Sequence, residues 1–385
     1  MNVTSTSGRR PRRIAVAAAV LLLLLAALWG LSRWALSQPA FGGRAAGERL
    51  ARMQADPHHH GERFANPQPP AAYRAADVWT LFSGQFLGDE DRAPSRPPPV
   101  VTVDAAALAA PVAPQGLRAF WIGHAAVYIE IDGVRLLADP MFSTYASPFD
   151  VGPKRLHPTP IALDALPAID AVLITHDHYD HLDMRSVQRL AQRGAAFYVP
   201  LGIGAHLEAW GIAASQIHEL TWWQEQSVRG VRVVSTPARH YSGRGLSDGD
   251  ATLWTSWSIV GPAHRAFVSG DTGYSPHFRE IGERYGPFDL SFTKIGAYGP
   301  TDHWHDIHMS PEEAVQAQHD LRASRLFPVH WATFNLAFHD WDEPIRRTLT
   351  AAGGPDGMEV LTPRIGEIVD IAQTFRSTAW WEAVR

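Results

Sequence analysis

From residue 117 onward, apolar and polar positions alternate in short bursts divided by turn residues. "LRAFWIG", "AVYIEIDGVRLLADP" with a turn at Asp132-Gly133, and "AVLIT" predict successive strands. Further strands are expected at "AFYVP", "VRVVSTPA", "SWSIV", "RAFVSG", "DLSFTKIGA" and "RLFPVH", with two more between 358 and 371. Helical periods intervene at "MRSVQRLAQRG", "GAHLEAWG", "HFREIGERYG", "SPEEAVQAQHDLRA" and "EPIRRTLTAAGG". In the segment that opens at Ser310 this serine is placed to cap, Pro311 occupies the first turn, and Glu313 completes a capping box. Hairpins mixed with strand-to-helix crossovers predict an α/β (α+β) fold in which helices cover sheets. No short tandem repeat interrupts this pattern.

The chain before residue 116 reads differently. An uncharged apolar run from Ile14 to Leu31 is long enough to cross a bilayer core as a helix and exceeds the core of a cleavable signal. Trp29 and Trp34 suit a membrane interface, and Arg9, Arg10, Arg12 and Arg13 precede the run, with no acidic residue before Glu48. Residues 1–37 are therefore expected to be a cytoplasmic basic tip and a single-pass signal anchor in the inner (cytoplasmic) membrane, with the rest of the chain on the extracytoplasmic side. The alternative is a removed signal peptide cut near "ALSQ"; a twin-arginine signal is matched only loosely. Residues 38–115, rich in Pro, Ala and Arg, predict an irregular arm, and residues 116–385 the domain. Within the arm, Val78, Trp79, Leu81, Phe82, Phe86 and Leu87 form a partly helical apolar face that is expected to pack on the domain, with membrane or lipid contact as the alternative. The "HHH" run at 58–60 reads as a solvated loop.

Composition narrows the chemistry. With 45% hydrophobic and 19% charged residues among 385, the chain is expected to fold. A net charge of −5 and no long basic run after residue 13 leave no electrostatic footprint for nucleic acid. The absence of cysteine excludes disulfides, thiolate metal sites and cysteine nucleophiles, so any metal must be held by His, Asp or Glu. Residues of those types recur just behind apolar strands: His176, His178, Asp180 and His181 after "AVLIT", His240 after "VVSTPAR", Asp271 after "AFVSG", and His330 after "RLFPV". Strand ends converge on one sheet edge, where rigid elements hold functional side chains. On a tight loop, His176 and His178 can point together while Asp180 and His181 point elsewhere, so one loop can serve two ions.

The complete HxHxDH motif with its spaced His, Asp and His resembles the metallo-β-lactamase fold superfamily, and within it the N-acyl phosphatidylethanolamine phospholipase D family and related bacterial hydrolases. The resemblance runs over roughly residues 113–371, through "WIGHAAVYIEIDGVRLLADPMFS", "ITHDHYDHLD", "TPARHYSGRG", "SGDTGY", "HMSPEEAV" and "PVHWATF". It implies a four-layer αββα sandwich with a dinuclear zinc site at the edge between the sheets. By motif, His176, His178 and His240 would bind one Zn2+, Asp180, His181 and His330 the other, and Asp271 would bridge both. His308 corresponds to a histidine near the substrate phosphate, expected to bind a phosphoryl oxygen or assist the leaving group, or else to cap or pack. "KIGAYGP" departs from the pattern, which leads one to expect an apolar residue or proline at Lys294 and an acidic one at Gly299.

Two zinc ions about 3.5–4 Å apart lower the pKa of a shared water and stabilise the oxygens of an in-line displacement. Asp180 and Asp271 would offset the cationic charge and orient that water. The function expected is that of a zinc phosphodiesterase of phospholipase D type on a membrane lipid. Its rivals are a lactonase or amide hydrolase of the same fold and, less favoured because no ligand is lost, a non-catalytic metal-binding envelope protein. His124 is a candidate for orienting the metal ligands or for a structural role, His303 and His305 occupy no motif position, and Trp222 and Trp223 are expected to pack.

Overall fold

A computed structural model describes residues 9–354 and 357–385. Residues 1–8 of the expected basic tip lie outside the described residues, as do the side chains of residues 9–14 and of Phe86. Compactness divides the chain between Phe41 and Gly42. The first unit is dominated by one helix, α1 (Arg9–Leu36), whose segment Ala15–Leu36 is long and apolar enough to cross a membrane.

The second unit opens with α2 (Gly47–Gln54), a short hairpin of β1 (His59–His60) and β2 (Arg63–Phe64), α3 (Ala75–Leu87) and α4 (Ala105–Ala109). Then follow β3 (Leu117–Gly123), β4 (Ala126–Ile131), β5 (Val134–Ala138), β6 (Ala171–Leu173), α5 (Met184–Gln192), β7 (Ala196–Pro200), α6 (Ile203–Ala209) and β8 (Ile217–Leu220). The second half carries β9 (Glu225–Val228), β10 (Val231–Thr236), β11 (Ser256–Val260), β12 (Arg265–Val268), α7 (His277–Tyr285), β13 (Leu290–Lys294), α8 (Asp302–Ile307) and α9 (Pro311–Leu321). It ends with β14 (Arg325–Val329), α10 (Glu343–Ala351), β15 (Glu359–Val360) and β16 (Ile368–Asp370). Two seven-stranded sheets result, ordered β16-β3-β4-β5-β6-β7-β8 and β15-β14-β13-β12-β11-β10-β9. In each, antiparallel hairpins give way to parallel neighbours, at β5-β6-β7-β8 and at β12-β13-β14-β15.

Side-chain alternation explains the layering. Leu117, Ala119 and Trp121 of β3 join Val231 and Val233 of β10 and Trp257 of β11 in one buried cluster. Their neighbours Phe120 and Ile122 join Val187 and Leu190 of α5 in another. A strand buried on both faces must read as a near-continuous apolar run, as β3 and β4 do. α5 and α6 cover the first sheet, while α7 and α9 pack on the second, with α10 against α9. The architecture is the expected αββα sandwich.

Several elements are unmarked by the sequence pattern: α2, the β1–β2 hairpin with its buried His59, and α4 lie in the arm expected to be irregular, and β8, β9 and α8 lie in the domain. β9 is an edge strand that exposes Glu225, Gln226 and Ser227. α8 is a single polar turn and a half, started by the Thr301 hydroxyl, which accepts from the Trp304 amide at 3.3 Å. The capping box of α9 is present, with Ser310 N–H donating to Glu313 at 2.8 Å. The apolar face of α3 differs from expectation: Val78, Trp79 and Phe82 are 62%, 64% and 54% exposed. Among the described residues of the expected face only Leu81 is half-buried; the residues it shares the domain side with are Asp77 and Gly84, and the small Gly84 lets the helix approach Phe338.

The indole of Trp257 ties the sheets at the edge described next. It is fully buried on β11 and donates at 3.0 Å to the carbonyl of Ile174, just after β6. Trp257→Ala should destabilise the domain by ~3–5 kcal/mol. Trp257→Phe, which keeps most of the volume and loses the bond, should cost about 1 kcal/mol. Urea denaturation of both variants in mild detergent measures the difference.

Candidate metal centre

Four strands, β6 of the first sheet and β10, β12 and β14 of the second, lead at a common edge into ligand-capable side chains. β6 leads through Thr175 into residues 176–181, after which Asp183 caps α5 by accepting from the Arg185 amide. From the second sheet, β10 leads to His240, β12 to Asp271 and β14 to His330. Gly270, with φ +56°, permits the closure, because a Cβ there would lie 2.6 Å from Cβ of Thr175. His330 and His124 also adopt positive φ, 67° and 56°. That region is uncommon for non-glycine residues and persists where the surroundings over-determine it. Here the His330 amide donates to the His124 carbonyl at 2.9 Å.

The seven ligands expected from the sequence meet in one cluster with His308, also expected at the site; all are buried except the half-buried His178 and Asp180. His176, His178 and His240 form one group able to hold a cation, and Asp180, His181 and His330, joined by His124, form another. Asp271 lies between them: Oδ1 is 3.0 Å from His330 Nε2, and Oδ2 is 3.5 Å from His181 Nε2 and 3.9 Å from His240 Nε2. His308 Nδ1 is 3.7 Å from the same Oδ2. Within the first group His178 Nδ1 is 2.8 Å from His176 Nε2 and 3.3 Å from His240 Nε2.

Second partners aim these rings. His240 Nδ1 is 3.0 Å from the carbonyl of Ile307, which leaves Nε2 with its lone pair toward the cluster. His181 Nδ1 is 2.7 Å from Asp139, a fully buried carboxylate that also accepts from the Thr175 amide at 2.8 Å and hydroxyl at 2.7 Å. His124 Nε2 is 2.7 Å from Asp180 Oδ2, and its ring lies 3.8 Å from that of His330. Carboxylate or carbonyl partners of this kind fix the tautomer and direction of metal-binding histidines.

Electrostatics follow from burial. Loss of water holds His176, His240 and His308 well below the ordinary histidine value, and brings His124 down to about 3. Burial also acts to lower His181, yet Asp271, Asp180 and Asp139 raise it well above that value. Burial would raise Asp180 and Asp271, but His181 beside the first and His330 and His181 beside the second bring both well below the carboxylate range. Both carboxylates are therefore anionic acceptors. His181 Nε2, His330 Nε2, His308 Nδ1 and Asp271 Oδ1 are buried without a hydrogen-bond partner. Buried polar atoms are rarely left so, and four of them converging from both sheets fit the donor set of a borderline divalent cation.

Other residues singled out in the sequence lie apart. His303 stacks on Tyr73 at 3.9 Å, and His305 is half-exposed beside Glu313. His58 packs on Trp222 and His59 on Phe64. Trp222 is buried and donates to the Trp254 carbonyl at 2.7 Å, while Trp223 lies under Arg284. Lys294 is fully buried, donates to the Gly296 carbonyl at 2.8 Å, and is pushed down to about 8 by burial. Asp139 and the Ile307 carbonyl were not anticipated as partners. The sequence signal for Asp139 is its place directly after β5, in "RLLADP".

Comparison with known proteins agrees with this geometry. The sequence model of the beta-lactamase superfamily domain matches residues 134–331. An uncharacterised protein of Mycobacterium tuberculosis is 43% identical over 388 residues, covering 97% of this chain and 99% of the relative. The N-acyl-phosphatidylethanolamine-hydrolyzing phospholipase D 1 of Caenorhabditis elegans is 37% identical over 232 residues, covering 57% of this chain and 65% of the relative. Among solved structures, the metallo hydrolase Igni18 of Ignicoccus hospitalis shares the fold, with a TM-score of 0.51 and 24% identity over 68% of this chain and 100% of the other. Sandwich, edge cluster and sequence match agree: the chain belongs to the beta-lactamase superfamily, as a metallo-β-lactamase-fold hydrolase similar to the phospholipases D that act on N-acyl phosphatidylethanolamine.

Proposed function

We propose that the protein is a dinuclear zinc hydrolase that cleaves a phosphodiester in the manner of a phospholipase D, on a membrane lipid such as an N-acyl phosphatidylethanolamine. The observation that carries the reading is the position of Asp271, whose carboxylate lies within 3.9 Å of ring nitrogens of His181, His240, His308 and His330. In this reading His176, His178 and His240 hold one ion, Asp180, His181 and His330 the other, and Asp271 both. Zinc supplies Lewis acidity and water activation near neutral pH. The likeness to the nematode phospholipase supports the substrate class, and the apolar helix of the first unit supports a membrane-held enzyme, with the arginines before it favouring an extracytoplasmic domain.

The chain's own residues have separable tasks. Asp139 and the Ile307 carbonyl keep the Nδ1 protons of His181 and His240, so both rings present Nε2 to the cluster. His124 bonds Asp180 Oδ2, the oxygen that also faces His181 Nε2 at 3.5 Å and His330 Nε2 at 3.6 Å, and so fixes the direction of that carboxylate. His308, kept neutral by burial, can donate a hydrogen bond from its ring N–H to a phosphoryl oxygen or to the oxygen of the leaving group. Tyr241, 42% exposed with its ring 4.4 Å from that of His178, forms part of the rim where a headgroup would arrive.

Protein stripped with chelator and reconstituted should bind about two equivalents of zinc by elemental analysis. Asp271→Asn should bind clearly less, and fewer than one equivalent in the unaltered chain sinks the proposal. His308→Gln should lower turnover of bis(p-nitrophenyl) phosphate by about 10²-fold with metal content unchanged. Loss of zinc in that variant would move His308 into the ligand set, and faster turnover of lactones than of phosphodiesters by the parent would overturn the reaction type. Asp139→Ala, which touches no proposed ion, should weaken zinc affinity by roughly 10–100-fold in a competition titration.

A further inference from the structure

The aromatic face of α3 is out of keeping with the rest of the surface. At 100° per residue, Val78, Trp79 and Phe82 fall within one stripe of about 100°, and all three are more than half exposed. Trp79 and Phe82 stack on each other with ring centres 5.9 Å apart, so they form a continuous patch. A charged surface would cost nothing here, and apolar patches on a domain surface mark contact sites.

The segment that leads into this helix, and Gly84 on its other side, contact the elements around the metal cluster. Arg74, at its start, pairs with Asp77 and with Asp302 of α8. Immediately before it, Tyr73 stacks on His303, and the Ala71 amide donates to Asp306 at 2.7 Å. α8 ends at His308. At the other end Gly84 lies against Phe338, in the segment whose His339 stacks on Tyr298. Leu246, 90% exposed on the loop after Tyr241, adds an apolar tip on the segment that bonds Tyr179 of the HxHxDH motif through Arg244.

We propose that the exposed face of α3 is a bilayer-docking surface, which seats the rim of the metal cluster against lipid headgroups. The occupant is a lipid surface because the same chain carries a helix long and apolar enough to enter one. Only residues 37–74 separate Leu36 from α3, so the bilayer is present at high effective concentration whatever the affinity of the patch alone. Trp and Phe on one face of a short helix are the residue types that settle at the headgroup boundary. A docked rim would admit an amphiphile directly from the leaflet. The surface bears on the lipid reading of the site, yet its test needs no turnover.

The cysteine-free sequence makes that test direct. The full chain carrying Val78→Cys or Trp79→Cys, each labelled with a nitroxide, is reconstituted into phosphatidylethanolamine/phosphatidylglycerol vesicles; Arg189→Cys on α5 serves as the water-facing control. Labels at 78 and 79 should collide more with oxygen than with a water-soluble nickel chelate, and the control should show the reverse. Nickel accessibility at all three positions overturns the proposal, as does spin–spin broadening between copies without oxygen preference, which would assign the face to a second copy of the chain. The double variant Trp79→Ser/Phe82→Ser should raise KM several-fold for a vesicle-borne lipid and leave turnover of soluble bis(p-nitrophenyl) phosphate unchanged. Equal KM values would count against a productive dock, whereas no turnover of either substrate by the parent chain would sink the phosphodiesterase reading and leave the label result standing.

Discussion

Two carboxylates at one edge of the sandwich, Asp271 buried and Asp180 half-buried, set the terms for the rest of the structure. An ion taken from water into a protein interior loses several kcal/mol even after relaxation, and only well-placed opposite charge or hydrogen bonding restores it. Around Asp271 the nearest groups are imidazoles, four of them within 3.9 Å, and two of these rings, His240 and His308, are themselves held neutral by burial. Neutral rings do not balance buried anions. His181 is the ring the carboxylates raise, and one imidazolium among these rings offsets only one of the two carboxylates. A cluster of lone pairs with unsatisfied negative charge is what a divalent cation completes.

The fold meets that requirement by topology. A site between two sheets needs strand ends from both to arrive at one edge, and the parallel arrangement at β6 and at β12-β13-β14 brings three consecutive C-terminal ends together in the second sheet. The sheets are tied there by contacts that carry no metal chemistry: Trp257 on Ile174, Thr255 on Thr175, and Gly270 against Thr175. The rigidity of the ligand set thus comes from the inter-sheet core, and the same alternation that separates Trp121 from Phe120 into different clusters fixes where His124 emerges at the end of β3.

Much of this was legible in the residues. The strand-end His and Asp positions could be read directly, because their placement follows from local pattern: an apolar run, then a polar ligand type. The αββα layering followed from the alternation and from the resemblance. Asp139, the Ile307 carbonyl and the pairing of His124 with Asp180 could not be read, since they join segments distant in sequence and one of them is a backbone atom with no sequence identity. α8 and β9 were missed for the converse reason; each is held by tertiary contacts and an edge pairing rather than by its own periodicity. α3 was recognised as apolar, yet periodicity cannot say which side of a helix the domain occupies. Gly84, the position that permits close approach, decided it.

The departures at Lys294 and Gly299 have physical reasons that bear on what the site accepts. A side chain at 299 would collide with Trp304, since a Cβ there would stand 2.1 Å from its ring, and that indole is fixed by its bond to the Ala297 carbonyl at 2.7 Å. The acidic group expected there is replaced by an aromatic wall. Lys294 turns inward to the Gly296 carbonyl and so braces the loop on which Ala297 adopts φ 61°. Its charge is felt by His308, where it adds to the burial that keeps the ring neutral. Between β13 and α8 the chain has therefore exchanged a carboxylate for bulk and a buried cation. On the proposed phosphodiesterase reading, this loss of negative charge beside the cluster would serve an anionic phosphodiester, whereas a neutral lactone or amide would gain nothing from it.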